Sequence, residues 1–430
     1  MTLPVFYGYV VNYKTLNNLI FPDYPMRKLI VSIAILLGYG TAAHAEFGIP
    51  GYELVHTVPV ETALATPDLR EPLQVWSEMF DSAKHDIVLG QFYVASQPGA
   101  AFERVIERLA SAGARGVKIR FLMEEKGKFA SDMPTIERLK KIPNLEFRYL
   151  DYSKLTGNGI IHAKYMVVDG NAAYVGSQNF DWRSFAHIHE TGLRITDPVV
   201  VAQVQNIFEH DWHAQELIAQ GQPVPRLNQT TVAANDQQAT FLVASPNAFN
   251  PPGVGDSETE LPKLLAAAKS EVRIQLLDYA PLSYGPNHTR PYYAVIDDAI
   301  RSALARGVKV KLMVSNWNTE KPAIDYLKSL ALLPGMEIRI VTLPQASSGF
   351  IPFARVIHSK TMEIDGQVAW IGTSNWSGGY LDNSRNLEIV LRNEKMAKRI
   401  AELHQQTWDS AYAQPIDVMK DYPKPVKGKE

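Results

Sequence analysis

Two stretches of this 430-residue chain match each other at fixed spacing, and that match limits the possible folds more than any other feature. The first runs Ile161-His162-Ala163-Lys164 to Asp169-Gly170, then Gly176-Ser177-Gln178-Asn179, then Glu190. The second runs Ile357-His358-Ser359-Lys360 to Asp365-Gly366, then Gly372-Thr373-Ser374-Asn375, then Glu388. Counted from each histidine, Lys stands at +2, Asp at +7, Gly at +14 and Asn at +17 in both copies. Only the glutamate differs, at +28 and +30. One such pattern is a weak signal. Two in register mean a duplicated domain.

The repeat extends upstream. Ala114 to Leu122 recurs as Ala305 to Met313. An amphipathic helix precedes the first, with Phe102, Val105, Ile106 and Leu109 at i, i+3, i+4 and i+7 and Gly113 at the expected C-cap. Residues 295–305 take the same part in the second copy. Apolar runs predict strands over 87–94 and 272–280, over 117–123 and 308–314, and over 145–150 and 337–343. Strand, helix, strand, helix, strand is an α/β pattern, met here twice. The expected architecture is two similar α/β domains, each a sheet flanked by helices, packed as a pseudo-dimer in one chain. The expected divisions are 46–220, a polar linker at 221–236 carrying Pro223 and Pro225, 237–415, and a solvated, frayed tail at 416–430.

Composition adds exclusions. The formal charge is −2, so bulk charge supplies no polyanion affinity and any such site must be local. Cysteine is absent, which removes disulfides and thiol nucleophiles. Arg27 and Lys28, the apolar run 29–37 and the small-residue box Ala43-His44-Ala45 read as a cleaved signal peptide over 26–45. Met26 is then the expected start, with 1–25 a start assigned too early. A periplasmic or secreted protein is expected.

The motif residues carry the chemistry. His and Lys two apart on a strand point to one face. Asp169 and Asp365 lie at an odd offset and open an Asp-Gly turn signal, so they are expected to support the turn and not to react. The returning strand brings Ser177 and Asn179, or Thr373 and Asn375, back beside the His–Lys pair. A cation, an amide, a hydroxyl and an imidazole together suit a phosphate oxyanion. With two halves face to face, one neutral imidazole can attack phosphorus. The other can protonate the leaving oxygen and then deprotonate water. Lys164, Lys360, Asn179 and Asn375 would neutralise the oxygens. Glu190 and Glu388 are expected each to accept a histidine's second ring N–H and fix its tautomer. No metal or other cofactor is called for, since the lysines supply the charge. His187, His189, His210 and His213 have metal-like spacing but no assembled third and fourth ligand. Trp182, Trp376 and Trp317 are candidate substrate contacts through stacking.

At these residues the chain resembles the phospholipase D superfamily, marked by a doubled His-x-Lys-x-x-x-x-Asp with a downstream Gly-Ser-x-Asn. The likeness spans nearly all of 52–412. Leu155-Thr156, Asn179 to Ser184, Ala299 to Trp317, Ile351 to His358 and Thr373 to Gly378 look like the animal lysosomal phospholipase D-like exonucleases and their poxviral envelope relatives. Thr373 departs from the usual Ser but keeps the hydroxyl. The animal disulfides have no counterpart here. The resemblance implies His162 as nucleophile, His358 as general acid, a site complete in one chain, and no obligate protein partner. It implies a phosphodiester substrate, namely single-stranded nucleic acid degraded from its 5′ end. A phospholipase D or phosphatidyl transferase acting on phospholipids stays open, as does an inert phosphate-binding relative. No stretch pairs an apolar face with a basic one for docking on lipid.

Overall fold

A computed structural model describes residues 47–227, 238–284 and 289–428. The expected signal peptide and most of the expected linker lie outside the described residues. Short apolar strands and amphipathic helices alternate, and the order repeats. The first sheet has eight strands, with Asp86–Gln91, Lys118–Glu124 and Leu145–Leu150 parallel at one side. Antiparallel partners follow at the other: Tyr165–Val168, Ala172–Gly176, Glu190–Ile195 and Tyr52–Thr57. The second sheet has nine strands and repeats this order from Met336–Val341 through Lys309–Ser315, Glu271–Leu276, Lys360–Ile364, Val368–Gly372 and Asn386–Arg392 to Thr240–Ser245.

The helices form where the periodicity is strongest. Phe102–Ala114 buries Phe102, Val105, Ile106 and Leu109 together with Trp76 and Phe80 of Pro72–Ser82 and with Ile87, Ile119 and Phe121 of the sheet. Gly113 is not the C-cap. It lies inside the helix, where a Cβ would stand 2.2 Å from the Pro143 carbonyl oxygen. The chain turns out of the helix at Gly116, whose φ of +95° suits glycine. On the opposite faces, Pro198–Ala219 and Glu394–Trp408 enter a core that both sheets share. Val88, Tyr165 and Leu193 of the first sheet join Leu242, Ile371 and Ile389 of the second in it. Residues Glu46–Glu430 are therefore one compact unit.

Two features of the strands position the site. The predicted continuous strands 87–94 and 272–280 each break after six residues and resume as Val94–Ala95 and Tyr279–Ala280. Each break turns two side chains, Phe92 and Tyr93 or Leu277 and Asp278, toward the space between the halves. The hairpins after each His–Lys pair turn at Asp169-Gly170 and Asp365-Gly366, all four with left-handed φ between 52° and 71°. Asp169 accepts the N–H groups of Lys84, His85 and Asp86 at 2.7–2.9 Å, and Asp365 those of Lys269, Ser270 and Glu271 at 2.8–2.9 Å. Each aspartate thus ties its hairpin to the start of the neighbouring strand.

Candidate active site

Each histidine is held by the other half of the molecule. The His162 and Ala163 N–H groups both donate to the Arg385 carbonyl oxygen, at 3.0 and 2.9 Å. The His358 and Ser359 N–H groups both donate to the His189 carbonyl oxygen, at 2.8 and 3.0 Å. The rings follow the same exchange. His358 Nδ1 donates to Glu190 Oε2 at 2.7 Å, and His162 Nδ1 pairs with Asn386 Oδ1 at 3.0 Å. The Asn386 amide is fixed in orientation: its Nδ2 donates to the Tyr380 carbonyl at 2.9 Å and its Oδ1 accepts from Thr373 at 2.9 Å. An oxygen therefore faces His162, so Nδ1 carries the hydrogen and Nε2 keeps its lone pair. Glu190 is steadied by the Ser184 hydroxyl at 2.9 Å.

The lysines are fully buried. Lys360 Nζ donates to the His358 carbonyl at 2.6 Å, and Lys164 Nζ donates to the His162 carbonyl. An ammonium has three donors, so each keeps hydrogens for another acceptor. Burial comes first in setting the titration of these groups. Burial, then the two lysine cations, hold His162 well below the ordinary imidazole range. Burial and the same lysines push His358 down. Burial brings Lys360 down to about 7 and pushes Glu190 up to about 7. The site is short of negative charge, and an anion is what would relieve it.

The groups open on a cavity of about 270 Å³. His162, His358, Asn179 and Asn375 line it, with Phe92, Phe353 and Tyr380 among its aromatic walls. The His162 ring meets Tyr380 edge-on at 4.7 Å between centroids and Phe92 at 5.6 Å. The conserved-spacing glycines admit the neighbouring strand: a Cβ on Gly372 would stand 2.3 Å from Glu388 Cγ, and one on Gly176 would stand 2.7 Å from Gly192 Cα.

The structure brings His162, Lys164, Asn179, His358, Lys360 and Asn375 together and reassigns several supporting residues. Glu388 touches neither histidine; its carboxylate takes the Ser257 and Ser374 hydroxyls. The residue equivalent to Glu190 is Asn386, also at +28, so the uneven glutamate offset was the signal. Ser177 bridges to Thr191, accepting its N–H at 3.0 Å. Trp376 is not a substrate contact: it is fully buried and packs edge-on against Trp370 at 5.8 Å. Trp182 packs on His187 and is not part of the cavity wall, whereas Trp317 is. His189 bonds Ser359 and His56, while His210 and His213 pair with Asp211 and Glu216. The tail is not frayed where it crosses the site: the Phe353 N–H donates to the Lys427 carbonyl at 2.6 Å, and Lys427 lines the cavity. Phe92, Asp278, Tyr380 and Asn386 had no motif to mark them.

Comparison with known proteins agrees with the doubled fold. The family model described as "Cardiolipin synthase, PLD-like domain" matches twice, at residues 77–212 and 261–408. "Phospholipase D Z" of Dictyostelium discoideum is 31% identical over 79% of this chain and 85% of its own length. "5'-3' exonuclease PLD3" of Rattus norvegicus is 28% identical over 86% of this chain and 81% of its own. Among solved structures, phosphatidylserine synthase of Haemophilus influenzae Rd KW20 aligns with a TM-score of 0.53 at 11% identity, covering 80% of this chain and 85% of that one. That likeness is one of fold.

Proposed function

Because the chain belongs to the phospholipase D-like family and is a phosphodiesterase, we propose that it is a secreted or periplasmic exonuclease that shortens single-stranded nucleic acid from its 5′ end. The observation that carries the mechanism is the unequal support of the two histidines. Neutral Asn386 leaves His162 as a free base at Nε2. The Glu190 carboxyl, unlike an amide, can carry negative charge against His358 Nδ1 and so supports a second proton on that ring. This inequality supports His162 as the nucleophile and His358 as the acid.

His162 Nε2 attacks phosphorus, and the bond to the leaving oxygen breaks. The proton on His358 Nε2 goes to that oxygen. Water then attacks the phosphohistidine and gives its proton to His358 Nε2, and the N–P bond breaks. Lys164, Lys360, Asn179 and Asn375 stabilise the charge on the equatorial oxygens. The aromatic walls support a nucleotide substrate, since base–aromatic stacking is sequence-tolerant. No helix among the described residues is long and apolar enough to cross a membrane.

The test offers the purified protein a 3′-labelled single-stranded oligonucleotide with a free 5′-OH and, separately, labelled phosphatidylcholine vesicles. Stepwise shortening that is lost in His162→Ala is the expected result. Head-group release with an intact oligonucleotide would overturn the substrate assignment and make the enzyme a phospholipase.

A further inference from the structure

A second hollow, of about 310 Å³, opens off the catalytic cavity. The two share Asp278, Trp317, Tyr380 and Lys427 as walls. Farther out, the second is bounded by Arg290 and Lys321. Its charge is unequal. Glu320 is divided between Lys427 at 2.9 Å and Lys424 at 3.2 Å, so it neutralises only one of them. Arg290 donates to the Ser283 carbonyl at 2.9 Å and lies 4.4 Å over the Tyr284 ring, and neither contact cancels its charge. Asp278 is pushed upward by burial, toward its neutral form, and so repels an anion less.

The segment that carries Lys427 is held in place by hydrogen bonds. The tail is pinned by Lys328 Nζ to the Lys420 carbonyl at 2.7 Å and by the Phe353 N–H to Lys427 itself. The ammonium stands over the Trp317 ring, 6.0 Å from its centroid, so cation and indole share one wall of the opening. A strand whose first diester lies between the histidines must lead its next phosphate out of the cavity. This opening offers a cation for that phosphate and an indole for the adjoining base.

We propose that the second hollow is the subsite for the strand beyond the scissile diester, with Lys427 of the tail anchoring the next phosphate and Trp317 carrying a base. The assignment rests on the nucleic-acid reading above. The test is a length series of oligodeoxythymidylates from dinucleotide to hexanucleotide. In the wild type, kcat/KM should rise about tenfold with length, as a charge-assisted phosphate contact allows. In Lys427→Met that rise should vanish through KM, and the salt slope should shrink by about 0.7, the value for one phosphate on a single strand. Lys427→Arg should keep both. An undiminished length effect in Lys427→Met, or an equal loss on the dinucleotide, would overturn the proposal. Should the wild type hydrolyse bis(p-nitrophenyl) phosphate yet cleave no oligonucleotide, the substrate reading itself falls and takes the subsite with it.

Discussion

At the scale of residues, two hydrogen bonds that cross between the halves distinguish the histidines. Asn386→Asp would set a carboxylate against His162, raise its pKa and keep it protonated over more of the acid range. The expected outcome is a kcat/KM profile whose acid limb moves upward, with activity lost first at low pH. Glu190→Gln should slow alkoxide-leaving substrates far more than nitrophenyl esters, because a good leaving group needs little protonation. The wild-type kcat/KM profile follows from the free-site titrations. His162 stays neutral, and so nucleophilic, to well below pH 6.5. His358, the acid, is pushed by burial and then by the two lysines to hold its second proton only well below pH 6.5, and Lys360 loses its charge near pH 7, so the alkaline limb should fall across that range and the optimum should be acidic. Steady-state rates between pH 4 and 9 check this, and an optimum above pH 8 would refute it. The doubled motif made His162, His358, both lysines and both asparagines legible, because their spacing survives duplication. Asn386 was hidden because its partner in the first half is a different residue, and only the shared +28 offset links them.

At the scale of elements, the strands and helices were legible wherever apolar periodicity was unbroken. Leu145–Leu150 stands where the pattern put it. The breaks after Gln91 and Leu276 were not legible, because Phe92 and Tyr93 prolong the first apolar run and Leu277 the second, while the cavity claims their side chains. The hairpin aspartates give an element-scale test. Asp169 and Asp365 are both held below the usual carboxylate range: burial opposes this and is outweighed by three backbone N–H donors at Asp169, and by the Ser270 hydroxyl followed by three backbone N–H donors at Asp365. Each therefore contributes stability above its unfolded pKa of about 4, lost as pH falls through its lower folded value. Asp365→Ala should cost about 1–2 kcal/mol, a figure kept low because the carboxylate is partly solvated. Urea unfolding at pH 7 should show that deficit and at pH 2.5 should show less of it. Equal deficits at both would contradict the role.

At the scale of the whole molecule, the halves share a core and complete each other's site, so they should not unfold separately. Arg385 is fully buried in the second half and pairs with Asp211 of the first at 2.9 Å, while its carbonyl holds the His162 segment. Breaking a buried pair by removing one partner costs about 3–5 kcal/mol. Arg385→Met should lower stability by that order in a single calorimetric transition, and two separated transitions would contradict a shared core. Why both halves must be present is clear from the crossed wiring: Glu190 serves the second half's histidine and Asn386 the first's. The measurement that tests this most directly is covalent trapping. His358→Ala, mixed with a nitrophenyl phosphodiester and quenched in alkali, should carry a phosphoryl adduct that peptide mass spectrometry assigns to His162. An adduct that instead forms on His358 in His162→Ala, with none on His162 in His358→Ala, would reverse the roles and contradict the account.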